Sequence, residues 1–186
     1  MNKITVVAAV LLALCGLKSN AQIQKGNYLL GANVAGLHIG LGENASFSGN
    51  VNPNVGYFFA DKFAVAATPS FSFSSVNKGN HHLVYGLGLM GRYYFGASEI
   101  SGSGFGSGRF FGEANAAVFK SKSYGSITPF SFGLGAGYAY FINKNIALEG
   151  KLTYDRLMLD GGLQEDQEAL NISFGCQIHL DGKKRK

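Results

Sequence analysis

Apolar residues alternate with polar or very small ones at a period of two along most of the chain, the pattern of a β-strand with two unlike faces. In the last such segment Leu170, Ile172, Phe174, Cys176, Ile178 and Leu180 interleave with Asn171, Ser173, Gly175, Gln177 and His179. Before it, Ile146, Leu148, Leu152 and Tyr154 run against Ala147, Glu149, Lys151, Thr153 and Asp155. Phe130, Phe132, Leu134, Ala136, Tyr138 and Tyr140 oppose Ser131, Gly133, Gly135, Gly137 and Ala139, and Phe63, Val65, Ala67, Phe71 and Phe73 oppose Ala64, Ala66, Thr68, Ser70 and Ser72. Segments 27–39, 48–59, 83–95 and 109–120 alternate less strictly. The pattern predicts eight strands, and an even count returns both ends of the sheet to one side. Pro53 and Pro69 fall inside strands; because proline cannot donate to a ladder, bulges or interruptions are expected there.

An internal echo supports the same count. Tyr57-Phe58-Phe59-Ala60-Asp61-Lys62-Phe63-Ala64-Val65 resembles Tyr140-Phe141-Ile142-Asn143-Lys144-Asn145-Ile146-Ala147-Leu148, 83 residues later. Each reads as a strand ending in aromatics, a tight turn and a second strand. If these are the first and third turns on one side, four strands separate them, and about eight fill the chain. Tyr57, Phe59, Phe63, Tyr93, Phe95, Tyr138 and Tyr140 gather near those turns, where an aromatic girdle at one membrane interface is expected. The opposite connections, around 42–47, 75–81, 121–127 and 159–168, are longer and more polar. The Gly/Ser-rich connection 96–108 is long for a turn on the first side.

Composition decides what kind of strand protein this is. Charged residues make up 15% of the chain, glycine numbers 27 and tryptophan is absent, against about 25% charge in ordinary soluble domains. A barrel in lipid accounts for so little charge without a membrane helix, since each strand shows lipid only every second side chain. Lys3, the apolar run 4–17, and Lys18 with Ser19-Asn20-Ala21 have the order of a secretory signal peptide, so residues 1–21 are expected to be removed between Ala21 and Gln22. Cys15 follows Leu14 and not a small residue, which argues against lipidation. Processing leaves Cys176 alone, hence no internal disulfide. It also leaves 14 basic against 11 acidic residues, with the surplus in the tail 181–186. A charged tail without a basic surface stripe gives no reason to expect nucleic-acid binding. The expected organisation is a signal peptide over 1–21, an all-β, closed, antiparallel up-and-down transmembrane barrel over 22–180, and a basic tail over 181–186.

Several stretches carry a family likeness: Asn52-Pro53-Asn54-Val55-Gly56-Tyr57-Phe58, the turn Ala60-Asp61-Lys62, Gly91-Arg92-Tyr93-Tyr94-Phe95, and residues 137–148. Together they resemble the small outer-membrane β-barrel domain family, often labelled porin-like and related in architecture to OmpA and OmpX. The resemblance runs from Gly26 to Leu180. It implies the fold and an outer-membrane location, and it implies no catalytic residues and no common ligand; a monomer with both termini in the periplasm, with outer-membrane lipid and the assembly machinery as partners and no cofactor, is expected. Such barrels often end on an aromatic that the assembly machinery reads, whereas here Leu180 is followed by Asp181 to Lys186.

Candidate chemistry is sparse. Gly86-Leu87-Gly88-Leu89-Met90-Gly91 matches G-x-G-x-x-G, but it lies in a strand pattern with no helix to follow, so its glycines are read as relief of crowding in a narrow lumen. His81 and His82 are neighbours in a loop, and His38 and His179 stand alone; no metal site is expected. Arg92, Glu113, Glu149, Lys151 and Asp155 fall on the face opposite the apolar one, and so inside a barrel just wide enough to be filled by side chains. Charges there must pair or meet water, and a lumen network that blocks flow is expected. A soluble lipocalin-like carrier of an apolar ligand is the alternative; it would need the large apolar side chains inside and the polar ones outside. An outer-membrane enzyme is a more distant one.

Overall fold

The structure is a computed structural model in which residues 23–40, 46–76, 80–96, 107–120, 128–158 and 167–182 are described. The expected cleavage site at Ala21 and Gln22, Cys15, the tail 183–186 and connection residues 97–106 lie outside them. Eight strands follow one another: β1 (Tyr28–Gly40), β2 (Ser46–Ala60), β3 (Phe63–Val76), β4 (Asn80–Tyr94), β5 (Ser107–Lys120), β6 (Phe130–Phe141), β7 (Ile146–Met158) and β8 (Gln167–Leu180). Each pairs antiparallel with the next, and β1 pairs with β8 to close the barrel. Following the ladder once round, from Ile178 through Leu30, Val55, Ala67, Leu89, Ala116, Phe132 and Arg156, returns to β8 at Glu168. That ten-residue stagger over eight strands sets a strand tilt of about 40°.

The two faces are those the alternation assigns. Leu134 on β6 is 65% exposed on the outside, whereas Ser131 is buried inside. Large apolar side chains stand exposed on the outer face of every strand, Val55, Leu87, Leu89, Leu152, Leu170, Ile172 and Phe174 among them. Ile146 and Ile178 depart from this and are nearly covered; they are cross-strand partners near the terminal end of β7 and β8.

The prolines perturb one ladder only. Pairing between β2 and β3 runs to Val51↔Phe71 and resumes at Val55↔Ala67 with unchanged register, so Pro53 and Pro69 lie opposite each other in a single gap. No bulge forms at either proline, because the missing bonds fall at one shared position and both outer ladders, Ala32↔Pro53 and Pro69↔Leu87, continue through them. The register shifts lie elsewhere: between Ala35 and His38 in β1, where Gly36 has φ +59°, and between Phe58 and Ala60 in β2.

Candidate functional site: a layered lumen

The end of the lumen that carries the termini is filled by apolar side chains. Leu29, Phe58, Tyr94, Phe111 and Phe141 point inward and are buried, and Ile23, preceding β1, completes the layer. Backbone bonds hold that N-terminal segment across the mouth: the Ile23 carbonyl accepts from the Lys62 N–H at 2.9 Å, and the Gly26 N–H donates to the Phe58 carbonyl at 2.9 Å. The Lys25 N–H donates to Asp61 Oδ1 at 2.9 Å across the β2–β3 turn. His179 lies in the same floor, its ring 5.3 Å from that of Phe141 and 5.9 Å from those of Phe58 and Tyr94.

Above the floor sits an ionic layer. Arg92 on β4 and Glu113 on β5 are direct cross-strand partners; Arg92 Nη2 and Nε donate to Glu113 Oε2 at 2.7 and 3.0 Å. Arg92 Nη1 reaches across the lumen to both carboxylate oxygens of Glu149 at 2.8 Å and to the Tyr94 hydroxyl at 3.0 Å. Lys151 Nζ donates to Glu113 Oε1 at 2.5 Å. Arg92 is completely buried, with its guanidinium carbon 4.1 Å from the centroid of Phe111, a cation–π contact that strengthens out of water. The layer holds two cations and two anions and is therefore neutral, which is the condition under which charges persist in a dry interior. Nearby, the buried carboxamides of Asn54 and Gln177, both in register with Gly31, make no hydrogen bond with the described residues.

Beyond the ions, away from the termini, a cavity of about 450 Å³ opens out, where asparagine, serine and threonine side chains alternate with alanines and with Met90, Phe119 and Leu157. Asp155 lies here and not in the ionic layer. Its oxygens accept from Asn115 Nδ2 at 3.4 Å, Thr153 Oγ1 at 2.9 Å and Asn171 Nδ2 at 3.0 Å. Of the five lumen charges singled out in the sequence, the fold therefore unites Arg92, Glu113, Glu149 and Lys151, and sets Asp155 apart among neutral partners.

The G-x-G-x-x-G stretch lies wholly within β4, and a Cβ on Gly86 would stand 2.6 Å from the Phe119 ring. Among the described residues no group of three or more His, Cys, Asp or Glu side chains is placed to hold a metal. Tyr57, Phe59, Phe63, Tyr93, Phe95, Tyr138 and Tyr140 lie toward the terminal end on the outer face, with ring pairs Tyr57–Phe59 at 5.1 Å and Tyr93–Phe95 at 5.3 Å; Phe110 against Tyr138 at 4.9 Å extends the set. The apolar floor escaped the sequence reading, although the echo carries a sign of it. Phe58 matches Phe141 and Ala64 matches Ala147, and all four are buried in that floor.

No protein-family model matches the chain. No curated protein matches it either. Solved structures do. Neisserial surface protein A aligns over 83% of this chain and 97% of its own, with 14% identity and a TM-score of 0.56. The N-terminal β-barrel domain of Pseudomonas aeruginosa OprF covers 84% and 98% at 17% identity, TM-score 0.45. The outer membrane protein OprG from Pseudomonas aeruginosa covers 88% and 100% at 13% identity, TM-score 0.45. The chain therefore shares its fold, a closed eight-stranded antiparallel barrel, with Neisserial surface protein A.

Proposed function

We propose that this protein is a monomeric, integral outer-membrane barrel, with both termini in the periplasm, that serves at the cell surface without catalysing a reaction and without a permanent pore. One observation carries the reading: a closed barrel exposes large apolar side chains on the outer face of every strand while its interior, above the apolar floor, holds charges, amides and hydroxyls. Water would penalise that exterior, since exposed apolar patches beyond a few hundred Å² are rare on soluble monomers, whereas a bilayer rewards it. The same polarity weighs against a soluble carrier of apolar ligands, whose cavity would have to be greasy. The seven outward aromatics then form the periplasmic-side girdle, and the outer-membrane assembly machinery inserts the chain. The ionic layer and the floor together close the lumen.

Fractionation and planar-bilayer recording test this directly. The protein should co-fractionate with outer membranes, show heat-modifiable gel mobility and pass little or no steady current. Glu113→Ala with Glu149→Ala should destabilise the barrel or raise its open probability. Recovery in the soluble periplasm without detergent would refute the membrane reading, and a large, steady wild-type current would refute the closed lumen.

A further inference from the structure

We infer that the cavity above the ionic layer is a binding site for a neutral saccharide unit, centred on Asp155. The site rests on the closed barrel itself and not on membrane insertion. Its volume, about 450 Å³, lies within the range of small-molecule pockets.

The carboxylate is built into place. Asn115, Gly133 and Asp155 are aligned across β5, β6 and β7, and because Gly133 has no side chain, the amide and the carboxylate meet above it; a Cβ there would fall on Asp155 Oδ1. Thr153 and Asn171 fix the other oxygen. An ionised carboxylate offers about four acceptor positions, and three donors leave capacity for a ligand hydroxyl. Asn115 and Asn171 each retain an amide oxygen, so the cluster presents acceptors in fixed directions, which suits the many hydroxyls of a sugar.

Two further features point the same way. Ser173 lines the cavity, is buried, and its hydroxyl has no partner among the described residues; a buried hydroxyl without one is costly and a ligand hydroxyl would satisfy it. Phe119, whose ring lies over Gly86, also lines the wall and supplies an apolar surface for the C–H face of a pyranose. The lining charges are Lys151, Glu113 and Asp155. Lys151 and Glu113 already neutralise each other, so the free balance is one negative charge, which disfavours phosphate and carboxylate ligands.

The test uses ¹⁵N-labelled protein in a detergent with no sugar headgroup, titrated with methyl α-D-glucopyranoside, methyl β-D-galactopyranoside, N-acetylglucosamine and lactose. At least one should shift the side-chain amide signals of Asn115 and Asn171 saturably, with Kd of about 10 mM or tighter. Asp155→Ala and Phe119→Ala should each raise that Kd about tenfold or more, while Leu134→Ala, on the outer face, leaves it unchanged. If Asp155→Ala fails to fold, Asp155→Asn, which keeps the side chain's shape and removes its charge, should weaken binding likewise. Absence of any saturable shift up to about 100 mM sugar, or a Kd indifferent to the Asp155 changes, would overturn the proposal. Neither outcome would touch the membrane reading, which fractionation decides.

Discussion

Removing the ionic layer one member at a time should give an order of cost set by burial and not by charge alone. Among the described residues, Arg92 is the only cation that touches both carboxylates, and it is 0% exposed, so Arg92→Met would leave Glu113 and Glu149 as like charges with Lys151 paired to Glu113. Deleting one partner of a buried pair costs about 3 to 5 kcal/mol, and Arg92→Met should reach or exceed the top of that range. Glu149→Gln leaves Arg92 with Glu113 alone and a net charge of +1 in a dry layer, again about 3 to 5 kcal/mol. Lys151 differs because its side chain remains 12% exposed toward the cavity. In Lys151→Met the Glu113 carboxylate keeps both bonds from Arg92 and gains access to the polar cavity, so the cost should stay below about 2 kcal/mol. The double change Arg92→Met with Glu149→Gln leaves the Lys151–Glu113 pair neutral. It should cost less than the sum of the singles by up to about 3 kcal/mol. The chain has no tryptophan, so urea titrations of the barrel refolded in lipid vesicles should be followed by circular dichroism and by heat-modifiable gel mobility. A Lys151→Met loss as large as that of Arg92→Met, or strict additivity in the double variant, would refute the neutral-layer reasoning.

Restoring donors to the proline gap should strengthen the wall. Pro53→Val with Pro69→Val can each return a ladder bond, worth about 0.5 to 1.5 kcal/mol net, partly offset by the greater freedom of the unfolded chain; slower amide exchange in β2 and β3 with a higher urea midpoint is expected, and unchanged exchange there would place the weakness elsewhere. Leu134→Arg directs a charge outward from β6 and should cost about 2 to 4 kcal/mol in a bilayer, while Ser131→Arg, which enters the polar cavity, should cost less; equal losses of folded, heat-modifiable protein would contradict the assignment of faces.

The strands were legible because most carry a clean contrast between two faces, and a one-residue slip would turn every large apolar side chain inward. The inward placement of Arg92 and Glu113 was legible from the alternation, and their pairing follows from the strand ends, which set register in an up-and-down barrel. The shared position of Pro53 and Pro69 was not, because each strand shows its own proline but only the pairing sets the two face to face. The floor was hidden for a different reason. In Tyr57-Phe58-Phe59, Tyr93-Tyr94-Phe95, Phe110-Phe111 and Tyr140-Phe141, outward girdle-type rings alternate with inward floor rings, so both faces are apolar and the period of two disappears into one aromatic run. Such a run is where a barrel should be sealed, because it supplies bulk to the lumen at the depth where the outside also needs rings. Phe58, Tyr94, Phe111 and Phe141 meet that condition on four different strands. Their rings exclude water beneath Arg92, and that exclusion obliges its charge to be matched by Glu113 and Glu149 within the layer.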